Sequence, residues 1–407
     1  MKTRPKLPQR ITNSVMAYQW GVFDGISKRL NLAPSGAAEA EIWIGSHPKA
    51  PSRFNDGQTL LDYELASGEK LPFLLKMLAV NEALSIQAHP TKECARAGFA
   101  SEEAAGVKIT AESRNYRDCN AKPELIVALE TGFEALCGFR DPQASAALLT
   151  ELAGDAHNSV RQFADRIVTQ GVEEVVRWAL SADSAGVSET IEHLYVAALA
   201  AQKNFTADTP GLKRLCALIA DLTEKYPGDP GILVAVLLNI VCLKHGEALW
   251  LPPGTPHAYL RGYGIEIMGP SDNVLRGGLT PKHIDTAELL QVLNFDPRSA
   301  DPIAAVAAEA AAQRFNPDAA GEHSTPFELV RVLKNVELVT SGVSCILVVS
   351  GSFTVEITDA AGAHKTLQIK TGQTFALPEG AIKLTGSGEA FLASGALRGC
   401  DAPAAQI

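Results

Sequence analysis

The segment Lys244-His245-Gly246-Glu247-Ala248-Leu249-Trp250-Leu251-Pro252-Pro253-Gly254 returns 126 residues later as Lys370-Thr371-Gly372-Gln373-Thr374-Phe375-Ala376-Leu377-Pro378-Glu379-Gly380. The shared frame, K-x-G-(E/Q)-x3-LP-x-G, reads as a strand between two tight turns, with glycine opening the backbone and proline stopping the ladder. A β-barrel of jelly-roll topology needs such a unit wherever strands end and restart. Two copies predict two barrels. They differ at one informative position, since His257 of the first corresponds to Lys383 of the second. If the first copy binds a metal, the second lacks the ligand to do so.

Working outward, residues 1 to about 140 hold short apolar runs broken by Gly and Pro, such as Ala40-Glu41-Ile42-Trp43-Ile44-Gly45 and Glu124-Leu125-Ile126-Val127-Ala128-Leu129, which read as mostly buried strands. From about 141 the period changes. Val160, Phe163, Ala164, Ile167 and Val168 fall at helical spacing, as do Leu212, Leu215, Cys216, Ile219 and Ala220. After Pro230 the strand pattern resumes and continues to about 300. The Ala-rich stretch 301–324 reads as a partly helical connector, and the remainder as a small all-β unit. The expected fold is mainly β with an α-helical insertion. Residues 1–140 and 230–300 form one β domain, 141–229 the insertion, 301–324 the connector and 325–407 a second β domain without a metal site.

The 407 residues exceed one ordinary core at roughly 150 residues per domain. A net charge of −10, from 36 Lys+Arg against 46 Asp+Glu, argues against nonspecific nucleic-acid or anionic-membrane binding. Seven dispersed cysteines without a CxxC pair indicate neither a disulfide framework nor a thiolate zinc site, so reduced thiols in the cytoplasm are expected. The N-terminus lacks the apolar stretch of a signal peptide, and the longest apolar run, 231–243, falls short of the roughly 20 residues that span a bilayer. Neither GxGxxG nor a Walker loop is present, which leaves nucleotide binding without support.

Chemistry concentrates in four segments. In Ser85-Ile86-Gln87-Ala88-His89-Pro90 a strand period places Ser85, Gln87 and His89 on one face. Lys122-Pro123-Glu124 sets a cation and a carboxylate two residues apart. Pro253-Gly254-Thr255-Pro256-His257-Ala258-Tyr259 holds a histidine in a rigid turn. The fourth runs from Gly264-Ile265-Glu266-Ile267-Met268 through Ser271-Asp272-Asn273-Val274-Leu275-Arg276 to Lys282. Imidazoles with a carboxylate are ordinary ligands of a divalent ion such as zinc, with a glutamine carbonyl as a less common addition.

These segments, together with Tyr18-Gln19-Trp20-Gly21 and Asn120-Ala121-Lys122-Pro123-Glu124, resemble in order and spacing the type I phosphomannose isomerases, a zinc enzyme family with a cupin core. The resemblance spans most of residues 10–300 and implies two cupin-like barrels, a cytoplasmic enzyme and one zinc ion per chain. It makes Gln87, His89, Glu124 and His257 the metal ligands. It lines the substrate cleft with Trp20, Glu41, Lys76, Ser85, Lys122, Tyr259, Glu266, Asp272, Arg276 and Lys282. The partner it implies is a small sugar phosphate, with no nucleic acid or membrane, and a site within one chain is compatible with a monomer. One departure stands out: Ala121 occupies a position where the family commonly has histidine, so that histidine cannot carry the proton here.

An aldose–ketose interconversion through an enediolate needs a Lewis acid or cation for the developing oxyanion, a base at the C1–C2 edge and a phosphate anchor set apart from both. Arg276 suits electrostatic clamping because it stays protonated. Glu266 and Lys122 rank first as base, with Tyr259 as a hydrogen-bonding helper. Lys76, Ser85 and Lys122 are the expected phosphate anchors, although Lys76 in its apolar run also fits a snorkelling lysine at a strand edge. Trp43 and Trp250 are expected in the core, and His47 in a structural role. Two other readings compete, a cupin metal oxygenase and a sugar-phosphate-binding protein without turnover.

Overall fold

A computed structural model describes residues 6–181, 185–203, 210–299, 301–303, 306–309, 311–315 and 325–395. His323, Cys400 and half of the expected connector lie outside the described residues. Two large antiparallel sheets dominate. In the first, the strands Leu238–Leu243, Phe133–Phe139, His257–Met268, Leu74–Val80, Glu41–Ile44 and Ser14–Met16 lie side by side in that order. Glu124–Ala128 pairs with His257–Met268 and with Ala248–Leu251, while the short Gln87–Ala88 bridges His257–Met268 and Leu275–Arg276. Strands buried on both faces read as continuous apolar runs, which is how Leu74–Val80 is buried along its whole length despite Lys76.

The second sheet is built around Phe327–Val332, Val336–Asp359, His364–Lys370, Thr374–Leu377 and Gly380–Gly395. Its edge is completed from the other end of the chain. Gln9–Thr12 pairs with Thr374–Leu377, and Arg53–Phe54 pairs in turn with Gln9–Thr12. One apolar cluster, including Phe73, Leu75, Ile265, Leu329, Leu347 and Phe391, joins the two sheets. The repeated frame is legible in the backbone. Gly246 (φ 83°) and Gly372 (φ 78°) occupy equivalent turns, in which Glu247 Oε2 accepts from the Lys244 N–H at 2.8 Å and Gln373 Oε1 from the Lys370 N–H at 3.1 Å. Lys383 points its ammonium to Glu337, 3.2 Å away and exposed.

The insertion comprises Pro142–Ala153, Asn158–Gln170, Val172–Leu180, Val187–Gln202 and Pro210–Lys225, whose apolar stripes share one cluster with Ile86, Leu275 and Leu279 of the β domain. Two local expectations are corrected. Gly231–Ala235, read as strand, is a helix: a fully buried apolar run has no periodicity to tell helix from strand, and Pro230 stands at its N-cap. Val306–Glu309 and Ala312–Phe315, read as partly helical, are strands, because ladder pairing with each other and with Phe327–Val332 outweighs alanine's helix propensity.

Candidate active site

The site begins with a parity problem. On the strand His257–Met268, a strict two-residue period would set Glu266 on the face opposite His257 and Tyr259. Pairing with Phe133–Phe139 shifts register there, with Ala135 opposite Tyr259 but Glu134 opposite Arg261. This β-bulge inserts one residue and returns Glu266 to the face of Tyr259. The Tyr259 hydroxyl accordingly donates to Glu266 Oε1 at 2.8 Å.

His89, Glu124 and His257 converge at one end, all buried, with ligating atoms within 4.8 Å of one another. His89 Nδ1 lies 2.8 Å from the Asn273 carbonyl oxygen and His257 Nδ1 2.9 Å from that of Thr255. A carbonyl can only accept, so each Nδ1 carries the proton and each Nε2 of a neutral ring turns a lone pair inward. Those nitrogens stand 3.2 Å from the two oxygens of Glu124. Protonating the rings would turn this into an ion pair, but burial first and then Lys122 push His89 down to about 4. At His89 a ring lone pair thus faces a carboxylate oxygen, and this buried Nε2 makes no hydrogen bond. Such convergence of two imidazoles and a carboxylate fits a divalent cation. Gln87 lies directly across the ladder from His257, and its Nε2 donates to Ser85 Oγ at 3.3 Å, which leaves its carbonyl oxygen available as a fourth donor atom.

Asn273, fully buried, holds this end together. Its Oδ1 accepts from the Arg117 and Asp118 N–H groups at 2.7 and 3.2 Å, and its Nδ2 donates to the Asp118 and Asn120 carbonyls at 2.8 and 3.0 Å. All four hydrogen-bonding positions of the amide are used, and its backbone carbonyl is the one that orients His89. The loop leading into Lys122 and the loop that carries Asp272 and leads into the strand Leu275–Arg276 are thereby stitched to each other.

Beside the cation end runs a row of buried charges. Lys76 stands across the ladder from both Trp43 and Glu266, and its ammonium lies 3.0 Å from Glu41 Oε2, 3.3 Å from Glu266 Oε2 and 5.0 Å from the Trp43 ring centre. The indole N–H of Trp43 donates to Glu41 at 2.7 Å. Burial alone would lower the Lys76 value, but Glu41 and Glu266 raise it above the usual lysine range. Glu266 is raised by burial, with Lys76 opposing. Tyr259 is pushed well up by burial and then by Glu266. The Lys122 ammonium is 2.9 Å from Glu124 Oε1. Burial acts to raise the Glu124 carboxyl, yet Lys122 holds it well below the carboxylate range.

At the mouth the balance reverses. Arg276 and Lys282 pair with no carboxylate among the described residues. Burial and the charge of Arg117 lower Arg276, and burial followed by Arg276, Arg117 and Lys49 lowers Lys282. Asp272 is engaged by His47 at 3.2 Å and Lys49 at 3.0 Å, and the hydrogen bond from His47 is the largest cause holding it far below the carboxylate range.

Every residue expected in the site lines one cleft of about 420 Å³, except His89, which sits behind it with 2% exposure. The lining includes Trp20, Glu41, Lys76, Ser85, Gln87, Lys122, Glu124, His257, Tyr259, Glu266, Asp272, Arg276 and Lys282. Ala121 is not part of it. Sequence reading missed Trp43, His47, Tyr226 and Thr280, which line it too. For Trp43 a signal existed, since Glu41 and Trp43 share a strand face. Tyr226, from the insertion, had none. Lys76 and Lys122 are both paired to buried carboxylates, which weakens them as phosphate anchors.

Residues 9–142 match the family model for the phosphomannose isomerase type I catalytic domain. The chain is 38% identical over 313 residues to mannose-6-phosphate isomerase of Escherichia coli, covering 72% of this chain and 77% of that one. The corresponding Bos taurus enzyme is 32% identical, with 70% and 72% covered. Among solved structures, the apo form of mannose 6-phosphate isomerase from Salmonella typhimurium superposes with a TM-score of 0.79 at 30% identity, over 95% of this chain and 99% of that one. A zinc-bound mannose 6-phosphate isomerase gives 0.79 at 31% identity with the same coverage.

Proposed function

The chain belongs to the type I phosphomannose isomerase family and is an isomerase of mannose 6-phosphate, and from that premise we propose that it exchanges this sugar with fructose 6-phosphate by proton transfer between C1 and C2 through an enediolate. The observation that carries the reading is the convergence of His89, Glu124 and His257 at the end of a cleft that also holds the hydrogen-bonded carboxylate of Glu266. Gln87, His89, Glu124 and His257 would hold one zinc ion, which supplies a Lewis acid for the substrate oxygens.

Glu266 is the base. Its carboxyl is raised by burial yet kept ionisable by Lys76, which suits a group that must take a proton and return it. Tyr259 and Lys76 orient its two oxygens and stabilise its ionised form. Lys122, whose ammonium is engaged by Glu124, is the weaker candidate and serves as a proton-bearing cation near the sugar oxygens. Arg276 and Lys282, unpaired at the mouth, take over the phosphate from Lys76 and Lys122, with Arg276 also placed to face negative charge on the substrate. Ala121 lies outside the cleft lining, so no step needs a side chain there. Unpaired cysteines at Cys94, Cys119, Cys137, Cys216, Cys242 and Cys345 support a reducing, cytoplasmic setting. No described helix is long and apolar enough to cross a membrane.

The test is a coupled assay for fructose 6-phosphate formed from mannose 6-phosphate, before and after chelation. Activity lost to the chelator and restored by zinc supports the reading. Iron in the purified protein with oxygen uptake and no isomerisation would replace it with an oxygenase.

A further inference from the structure

The helical insertion has no assigned part in the chemistry, yet its last residues reach the cleft. Asp229, between Pro210–Lys225 and Gly231–Ala235, accepts three backbone N–H groups. Its Oδ1 takes Gly231 at 2.7 Å and Leu279 at 3.1 Å, and its Oδ2 takes Thr280 at 3.1 Å. Among the described residues no cationic side chain pairs with it, so its partners within the protein are peptide N–H dipoles.

The segment it grips is held in an unusual shape. Leu279 is buried at 2% exposure with φ 56°, a left-handed conformation that a leucine keeps only where its surroundings over-determine it. Gly278 and Gly231 meet backbone to backbone: a Cβ added at Gly278 would lie 2.2 Å from the Gly231 Cα. On its other side the segment is bonded to Ile86, with Gly277 N–H donating to Ile86 O at 2.9 Å and Ile86 N–H to Gly278 O at 3.1 Å. It then turns outward, where Thr280 Oγ1 accepts from the Lys282 N–H at 3.2 Å. Leu279, Thr280, Pro281 and Lys282 all line the cleft.

We propose that Asp229 is a positioning residue through which the helical insertion sets the rim 279–282, and with it the Lys282 ammonium, for the substrate's phosphate group. The inference rests on the assignment of the phosphate to Arg276 and Lys282. Asp229 itself touches no reacting atom, so its loss should act on substrate capture. Asp229→Asn is the mild variant, because an amide keeps one acceptor but turns an NH2 toward a backbone donor, and Asp229→Ala removes both acceptors.

Steady-state kinetics of the zinc-loaded enzyme with mannose 6-phosphate should show KM raised about tenfold for Asp229→Ala, less for Asp229→Asn, with kcat within about twofold. KM does not depend on the fraction of protein that is active, which separates positioning from partial misfolding. Lys282→Ala, at an exposed side chain, should raise KM by a similar factor, and adding Asp229→Ala to it should raise KM no further. The inhibition constant of inorganic phosphate should follow KM in every variant. If the two substitutions multiply, or if Asp229→Ala lowers kcat with KM unchanged, the proposal is overturned. It is overturned equally if neither Asp229 variant yields an active fraction, since the residue then belongs to folding. If Lys282→Ala leaves KM and phosphate inhibition unchanged, the phosphate assignment fails instead.

Discussion

Lys76→Met removes one ammonium from between two carboxylates and keeps most of the side-chain volume. In the native protein that ammonium lies 3.0 Å from Glu41 and 3.3 Å from Glu266, whose side chains are only 10% and 4% exposed. Taking away one partner of a buried pair destabilises by about 3–5 kcal/mol, because the remaining charge stays out of water without compensation. Here Glu41 keeps the Trp43 N–H and Glu266 keeps the Tyr259 hydroxyl, which places the expected loss toward about 3 kcal/mol at alkaline pH. Glu266 is already raised by burial, and Lys76 is the largest influence lowering it, so the variant's carboxyl rises further. Between the unfolded carboxylate value and this raised folded value the native state binds more protons than the unfolded chain, and stability falls as pH rises. The deficit should therefore be largest at about pH 8 and shrink toward about pH 5, as Glu266 takes a proton in the folded state. Urea unfolding of both proteins at the two pH values reads this directly, provided the slope m is unchanged so that a shift in midpoint means a change in stability. The pH–rate profile should move in the same sense, with the acidic limb displaced upward. A deficit under about 1 kcal/mol that is equal at the two pH values would refute the reasoning, for it would mean that the carboxylates are solvated well enough to need no counter-ion.

Glu266→Gln should keep zinc binding and lower kcat by about 10²–10⁴, while Tyr259→Phe, which leaves the base but removes the hydrogen bond to it, should lose less; near-normal turnover of Glu266→Gln with zinc bound would rule it out as base. Asn273→Ala, measured by competition with a chromophoric chelator, should weaken zinc binding by about 10–100-fold and alter the visible spectrum of the cobalt-substituted protein, because the amide clamps the loop whose carbonyl orients His89. Unchanged affinity and spectrum would show that Thr91-capped helix Lys92–Ala104 and its neighbours hold His89 without it. Ala121→His, at a position outside the cleft lining, should leave kcat within about threefold, or under ~0.7 kcal/mol in barrier. A large gain in kcat would instead show that a side chain there can enter the reaction.

The division between what was legible in the chain and what was not follows from the range of the interactions. The K-x-G frame, its repeat, the helical period of the insertion and the segments bearing Gln87, His89, Lys122, Glu124, His257 and Arg276 are local: turn chemistry and two-residue or 3.6-residue spacing are properties of consecutive residues. So the two β units, the helical interruption of the first and the chemical class of the site could be read without coordinates. Long-range pairing could not. Nothing local places Gln9–Thr12 in the C-terminal sheet, makes a helix of Gly231–Ala235 or turns an Ala-rich stretch into the strands Val306–Glu309 and Ala312–Phe315. Nor does spacing reveal that a bulge opposite Phe133–Phe139 carries Glu266 to the face of Tyr259, since strict alternation argues the reverse.

The roles of the lysines were decided at the same level. In sequence, Lys76 and Lys122 are cations near the right motifs and therefore natural anchors for an anion. In the folded chain each is spent on a buried carboxylate, while Arg276 and Lys282 remain unpaired at the mouth. Charge type is written in a residue, but whether a charge is available to a ligand depends on what else the fold brings within a few ångströms, because in a buried site the nearest counter-ion takes the interaction first. The amino-acid order by itself determined which ligands and charges the site would contain. The tertiary structure decided which of them face one another, and so which are left to meet the substrate.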